Sequence, residues 1–257
     1  MAIDDVIDRH AEFARENSQL LHLSKQGLQW ISRQPAAMLA VDNWERVTEK
    51  YDEEKAKIRR EQAQLAAASV TPEVDAGFPL LHAHATVSSW SMLESCVESV
   101  ILEWLLANPR ALQTDSVSKI KIELGQYEGL DPDQRMRYII DEIKRSTKAD
   151  LKIGAGRFEA ILDALEIKTS ISQDLKKKLM ELSQIRNILV HKAGIADRRL
   201  VESCPWLRFE IGQRVRVDYP MYKEIEAAVP EYVGTVVRRL KERTAALEAK
   251  AAKPNDA

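Results

Sequence analysis

The sequence is poor in the residues that build disulfide scaffolds and membrane spans. Among 257 residues there are only two cysteines, Cys96 and Cys204, far apart in the chain. This usage predicts free thiols in a reducing compartment. The most apolar run, residues 99–107, is interrupted by Glu103 and is too short to cross a bilayer. The first residues are acidic, whereas a secretory signal begins with basic residues. We therefore predict a cytoplasmic protein without membrane association.

The sequence also lacks a dominant charge and a complete metal or nucleotide motif. Its 38 basic and 40 acidic side chains leave a net charge of −2, so any nucleic-acid contact must depend on a local patch. His82 and His84 are two residues apart, on different sides of a helix, and no third ligand follows. Residues 154–156, Gly-Ala-Gly, lack the remainder of a glycine fingerprint. We expect neither a metal nor another cofactor.

Apolar residues recur mostly at helical spacing, which predicts an all-α protein. We expect an up-and-down helical bundle with a long N-terminal helical arm at residues 1–70, a core domain at residues 79–247 and a disordered tail at residues 248–257. One small β-hairpin is predicted near residues 207–217, where two short alternating runs flank Gly212 and Gln213.

Local signals predict several helix boundaries. Pro35 is expected to separate a first helix from a second one that begins with a capping box formed by Asp42 and Glu45. Asp131, followed by a proline, predicts another helix start. Ser172 is expected to cap the helix that carries the most unusual pattern in the chain.

That pattern is a charged residue within an apolar helical stripe. Leu175, Leu179, Leu182 and Leu189 recur at helical steps, and Arg186 takes the next position on the same stripe. A guanidinium stays charged when buried, so it needs an acidic partner or a phosphate there.

Two interpretations of Arg186 follow from the residues alone. In the structural one, Arg186 forms a buried pair with Glu94, and His191 caps the helix end. In the functional one, Asn187 and His191 share a helix face that Arg186 can reach. The Arg–His spacing does not decide between them, because Arg15 and His22 form a similar pair.

Local charge favours the functional interpretation. Residues 186–216 contain seven basic and three acidic side chains, which is a setting suited to a polyanion. Within this segment we predict RNA contacts by Lys192, Arg198 and Arg199.

Residues 185–197, Ile-Arg-Asn-Ile-Leu-Val-His-Lys-Ala-Gly-Ile-Ala-Asp, resemble the signature of the HEPN superfamily: Arg, a polar residue, apolar residues and His near the end of a bundle helix. The resemblance covers residues 79–247, with residues 90–94 similar to the first core helix of the family. It implies a helical bundle, usually a homodimer, and often a metal-independent ribonuclease in toxin–antitoxin, antiphage or RNA-processing systems. It also implies catalytic roles for Arg186, Asn187 and His191.

We therefore expect an endoribonuclease that uses the ribose 2′-hydroxyl to attack the adjacent phosphate. Glu94 is a candidate supporting residue that does not belong to the motif. The family also contains members without activity, so the alternative is a non-catalytic module for dimerisation or for RNA or protein binding. The N-terminal arm, which has no counterpart in the resemblance, is a candidate docking surface for a protein partner or an antitoxin.

Overall fold

A computed structural model describes residues 3–168 and 170–251 of the chain. Within these residues helices account for nearly all regular structure, and no strand forms, so the predicted all-α class is confirmed. The α-helices are α1 Ile3–Val47, α2 Glu53–Asp75, α3 Pro79–Ala107, α4 Leu124–Glu128, α5 Pro132–Thr147, α6 Gly156–Ala164, α7 Gln173–His191, α8 Arg198–Ser203 and α9 Tyr219–Ala251. Short 3-10 segments lie at Pro109–Gln113, Ala149–Leu151 and Pro205–Leu207. None of these helices combines the length and the apolarity that a membrane span needs.

The chain divides into two compact units. One contains the residues up to Ala14, Thr86–Val215 and the chain from Lys223 onward, and the other contains Arg15–Ala85 and Arg216–Tyr222. The sequence-based division at residues 70 and 79 stays a prediction. The predicted tail at residues 248–257 lies mostly outside the described residues, since α9 ends at Ala251.

The predicted hairpin at residues 207–217 is wrong. Within the described chain its second run pairs with the loop after α7, through an isolated antiparallel bridge between Ile195 and Arg214. The backbone N–H of Ala196 donates to the Gln213 carbonyl at 2.8 Å, and that of Val215 donates to the Gly194 carbonyl at 2.8 Å. A two-stranded hairpin is marginal by itself, and this nearby loop satisfies the backbone groups that it would have paired.

The predicted helix break at Pro35 is also wrong, because α1 continues through it to Val47. A proline inside a helix removes one hydrogen bond and crowds the preceding turn. Here the alanine-rich residues after it, 36–40, strongly favour helix, and the far end of α1 is tied to α2. Asp42 is 2% exposed and accepts from Arg59 at 2.9 Å. It therefore pairs α1 with α2 instead of capping a helix, and Asp52 caps α2.

Two other predicted helix starts are confirmed. Asp131 and Gln134 form a reciprocal capping box at the start of α5. The Ser172 hydroxyl accepts from the backbone N–H of Leu175 at 3.1 Å and caps α7. Satisfying these otherwise unpaired N–H groups fixes where each helix begins.

A buried charged cluster joins α6 to α9 in the first unit. Arg239 is 2% exposed, and its Nη1 donates to both carboxylate oxygens of Glu159 at 2.9 and 3.0 Å. The Tyr232 hydroxyl donates to the same carboxylate at 2.7 Å. Burial, together with the charge of Glu159, raises the pKa of Tyr232 well above its usual range. The folded state therefore favours the neutral phenol.

This shift predicts a pH-dependent effect of Tyr232→Phe. Near neutral pH we expect the variant to lose about 1–2 kcal/mol of unfolding free energy, because one hydrogen bond to a carboxylate is removed. Unfolded tyrosine ionises near pH ~10, so the stabilisation in the natural protein is present below that pH and is lost as the pH rises further. Denaturant unfolding across this pH range should show the difference between the two proteins shrinking. A constant difference would contradict the assignment.

Candidate active site

The last turns of α7 place the predicted motif at a defined helix end. Leu179, Leu182 and Ile185 are completely buried, so they fix the rotation of the helix about its axis. Helix α7 ends at His191, and the chain then reverses through Ala193 and Gly194, whose φ angles are +52° and +78°. The N–H of Gly194 donates to the Ile188 carbonyl at 3.0 Å and satisfies one of the unpaired carbonyls at the helix end.

The three predicted motif residues come together at this end. Arg186 Nη1 lies 3.3 Å from Asn187 Oδ1 and 3.2 Å from His191 Nε2. Arg186 and Asn187 are half-buried, whereas His191 is exposed. A guanidinium can only donate, so Nε2 accepts in this contact and a neutral His191 carries its proton on Nδ1. The imidazole is therefore held with its basic nitrogen toward the arginine.

Arg186 has no acidic partner within residues 3–168 and 170–251. Its Nε is buried and has no hydrogen-bond partner there. The Arg186–Glu94 pair of the structural interpretation does not form: Glu94 instead accepts from Arg157, which also donates to Asp150 at 3.1 Å. Arg157 belongs to the first turn of α6 and satisfies the only acid that the structural interpretation offered to Arg186. The guanidinium of Arg186 is left available to a ligand.

These residues line a cleft of about 330 Å³. Gln184 also lines it, is 1% exposed, and has a side-chain Nε2 without a partner in the described part of the chain. Two buried N–H donors at one cleft are costly unless an acceptor occupies it. The charged side chains lining the cleft are predominantly basic: Lys152, Arg157, Arg186, Lys192 and Arg199, against Asp150 and Asp197. Donors and charge both suit an anionic ligand.

The predicted RNA-binding residues separate into two groups. Lys192 and Arg199 line the cleft, and Arg198 does not. The side chain of Arg198 is 81% exposed and pairs at 3.9 Å with Glu202, one helical turn further along α8. Neighbouring residues at the start of a helix point about 100° apart, so only one of the two arginines can face the cleft.

Sequence reasoning missed the basic residues that come from the α5–α6 connection and the first turn of α6. Lys152 and Arg157 reach the cleft because this connection packs closely on α7. Gly154 has φ +57°, and a Cβ there would lie 3.0 Å from the Met180 Cα. Only glycine allows both the conformation and the approach. The Gly-Ala-Gly pattern at residues 154–156 was the available signal, and it marks close packing instead of nucleotide binding.

Comparison of the chain with protein-family models, with curated proteins and with solved structures finds no match. The residues of the cleft therefore carry the functional inference.

The cleft predicts opposite effects on stability for two of its arginines. Arg186→Met should change the unfolding free energy by less than about 0.5 kcal/mol, or raise it, because no ion pair is lost and repulsion among the cleft cations falls. Arg157→Met should lower it by about 1–3 kcal/mol, because Glu94 and Asp150 lose their partner. Denaturant unfolding of both variants measures this. A large loss for Arg186→Met would show that Arg186 is structural.

Proposed function

We propose that the chain is a metal-independent endoribonuclease of HEPN type, active in stress, toxin or antiphage defence. The observation that supports this most directly is the 3.2 Å contact between Arg186 Nη1 and His191 Nε2, at a cleft lined by five basic side chains. Cleavage without a metal needs a proton acceptor at the ribose 2′-hydroxyl and positive charge at the attacked phosphate. His191 and Arg186 supply one each.

In the proposed reaction, RNA places one phosphate against Arg186, which turns from the imidazole to the phosphate oxygens. This movement frees the Nε2 lone pair of His191 to take the 2′-hydroxyl proton. The 2′-oxygen then bonds to phosphorus and the bond from phosphorus to the 5′-oxygen breaks. The products are a 2′,3′-cyclic phosphate and a 5′-hydroxyl. Asn187 orients the phosphate or the ring through its amide.

The leaving 5′-oxygen needs a proton from a second group, because one histidine cannot be base and acid in the same step. We propose a homodimer in which a second His191 supplies it. Within residues 185–190, however, Ile185 and Ile188 are buried in their own chain, and only Val190 is largely exposed. This segment therefore provides little apolar area for dimerisation, and another surface must contribute.

The catalytic proposal predicts cleavage in the presence of a chelator. With mixed RNA, we expect His191→Ala to lower the cleavage rate by roughly 100- to 10,000-fold, and Arg186→Met to lower it by roughly 100- to 1,000-fold. A substrate with a 2′-deoxy sugar at the cleavage site should remain intact. Gel analysis with end-group mapping reads both rate and products. Unchanged activity in both variants, or a requirement for added metal, would refute the proposal.

The lining of the cleft predicts which basic side chains bind RNA. In a His191→Ala background, which prevents cleavage, Lys152→Ala and Arg199→Ala should each weaken binding across RNA sequences. Each should also reduce the slope of log affinity against log salt by about 0.7, the value for one phosphate contact on a single strand. Arg198→Ala is the matched control and should change neither quantity. Filter binding over a salt series measures both. Tight binding without cleavage by the natural protein would instead support the non-catalytic binding module.

A further inference from the structure

Helix α1 carries an exposed apolar seam with coiled-coil spacing. Leu23, Trp30, Ala37 and Trp44 follow one another at seven-residue steps, and Ala40 and Val47 lie three residues after the last two. Trp30 is 63% exposed, Trp44 is 59% exposed and Val47 is 84% exposed. A helix that packs along a second helix has apolar residues at alternating steps of three and four. The seam has them at Ala40 and Val47, whereas the corresponding earlier positions are Gln26 and Arg33.

The seam is not the surface that α1 uses to contact α2. That contact includes buried Asp42, which binds Arg59 at 2.9 Å and Arg60 at 3.2 Å. Asp42 precedes Trp44 by two residues, which places it on nearly the opposite side of the helix. On α2 the buried positions are small, Ala56, Ala63 and Ala67. Helix α1 therefore has one face packed on its own chain and another, apolar face exposed.

The exposed area is large for one helix face, although Lys50 Nζ lies over the Trp44 ring at 5.8 Å from its centroid. At about 60% exposure, each tryptophan presents roughly 100–150 Å², so the seam as a whole presents several hundred square ångströms of apolar surface. Patches of this size mark interaction sites on soluble proteins. From Leu23 to Val47 the seam extends for about 37 Å. With its polar flanks, a helix face of this length can approach the ~800 Å² per partner of a stable interface.

We propose that the seam binds the seam of a second copy of this chain, antiparallel, with the two-fold axis near Pro35. In this arrangement residues whose numbers sum to 70 face each other. Trp30 then faces Ala40 of the second copy, and Leu23 faces its Val47. Large residues thus meet smaller ones, which is the condition for close packing between helices.

Charge also selects the antiparallel direction. Arg33 lies on the seam between Trp30 and Ala37. Parallel in-register helices would place Arg33 against its own symmetry mate and each tryptophan against the same tryptophan. Like charges facing each other oppose that pairing. Antiparallel helices place Arg33 against Ala37 of the second copy and Trp44 against its Gln26. The antiparallel direction therefore avoids the direct Arg33–Arg33 and Trp–Trp pairings of the parallel one, and it leaves the two Arg33 side chains about 6 Å apart along the axis.

This inference does not depend on the chemistry of the cleft. It is tested by measuring the molecular mass of the protein in solution. The 29.2 kDa chain should sediment as a dimer at micromolar concentration. Trp30→Glu combined with Trp44→Glu should weaken dimerisation by more than about 1,000-fold, because four interface tryptophans per dimer are replaced by charge. Leu65→Glu is the matched control, since Leu65 is 74% exposed on α2 and lies outside the seam. Circular dichroism checks that helix content is kept.

A second experiment, disulfide crosslinking between introduced cysteines, tests whether the two α1 helices run antiparallel. In the antiparallel dimer, a chain carrying both Leu23→Cys and Val47→Cys should form interchain disulfides under mild oxidation, whereas Leu23→Cys alone should not. Cys96 and Cys204 are buried and do not interfere. A monomeric natural protein, a dimer that survives the double glutamate variant, or crosslinking through Leu23→Cys alone would overturn the proposal. If the natural protein is monomeric, the seam would be a binding surface for a different protein.

Discussion

The structure around the cleft depends on one unusual condition, a half-buried guanidinium without a carboxylate partner in the described residues. Arg186 is held on α7 by a completely buried leucine and isoleucine face, so the helix cannot rotate to expose it. Its Nε has no acceptor among the residues that the structure describes, and four further cations line the same cleft. A folded chain gains nothing from collecting like charges around a desolvated donor. The arrangement is understandable if an anion completes it.

The contacts of Arg157 explain why Arg186 has no carboxylate partner among the described residues. Arg157 pairs with Glu94 and Asp150, and Asp197, the other acid at the cleft, caps α8. Arg157 can form its pairs because Gly154 allows the α5–α6 connection to approach α7 closely. One arginine is thus held by acids and shapes the cleft, while the other remains available at His191. Glu94 accepts from Arg157, and among the described residues no hydrogen bond joins it to the motif.

The proposed reaction has one histidine in each cleft and needs a second proton donor, and this connects the cleft chemistry to self-association. The motif segment has little exposed apolar surface of its own, because its isoleucines fill the interior of the same chain. Helix α1, by contrast, keeps two tryptophans exposed along a seven-residue repeat. Selection for solubility removes such surfaces unless they are used. The apolar area for self-association would then come from α1, while catalysis still requires that a second His191 reach the cleft.

The sequence by itself determined what local physics controls. Helical periodicity predicted the all-α class, and Asp131 and Ser172 marked two helix starts through capping. The polarity pattern of α7 identified Arg186 as the anomaly, and the motif residues fell on one helix end.

Tertiary structure decided the rest. Pro35 did not break α1, because packing on α2 and helix-favouring neighbours outweigh one lost hydrogen bond. Residues 212–215 paired with the loop after α7 instead of with residues 207–211. Glu94 paired with Arg157 instead of with Arg186. In both cases the fold brings a residue from another part of the chain closer than the expected partner. Lys152 and Arg157 joined the cleft for the same reason: the pairing of distant charges depends on how loops approach helices, and periodicity within a helix contains no information about that approach.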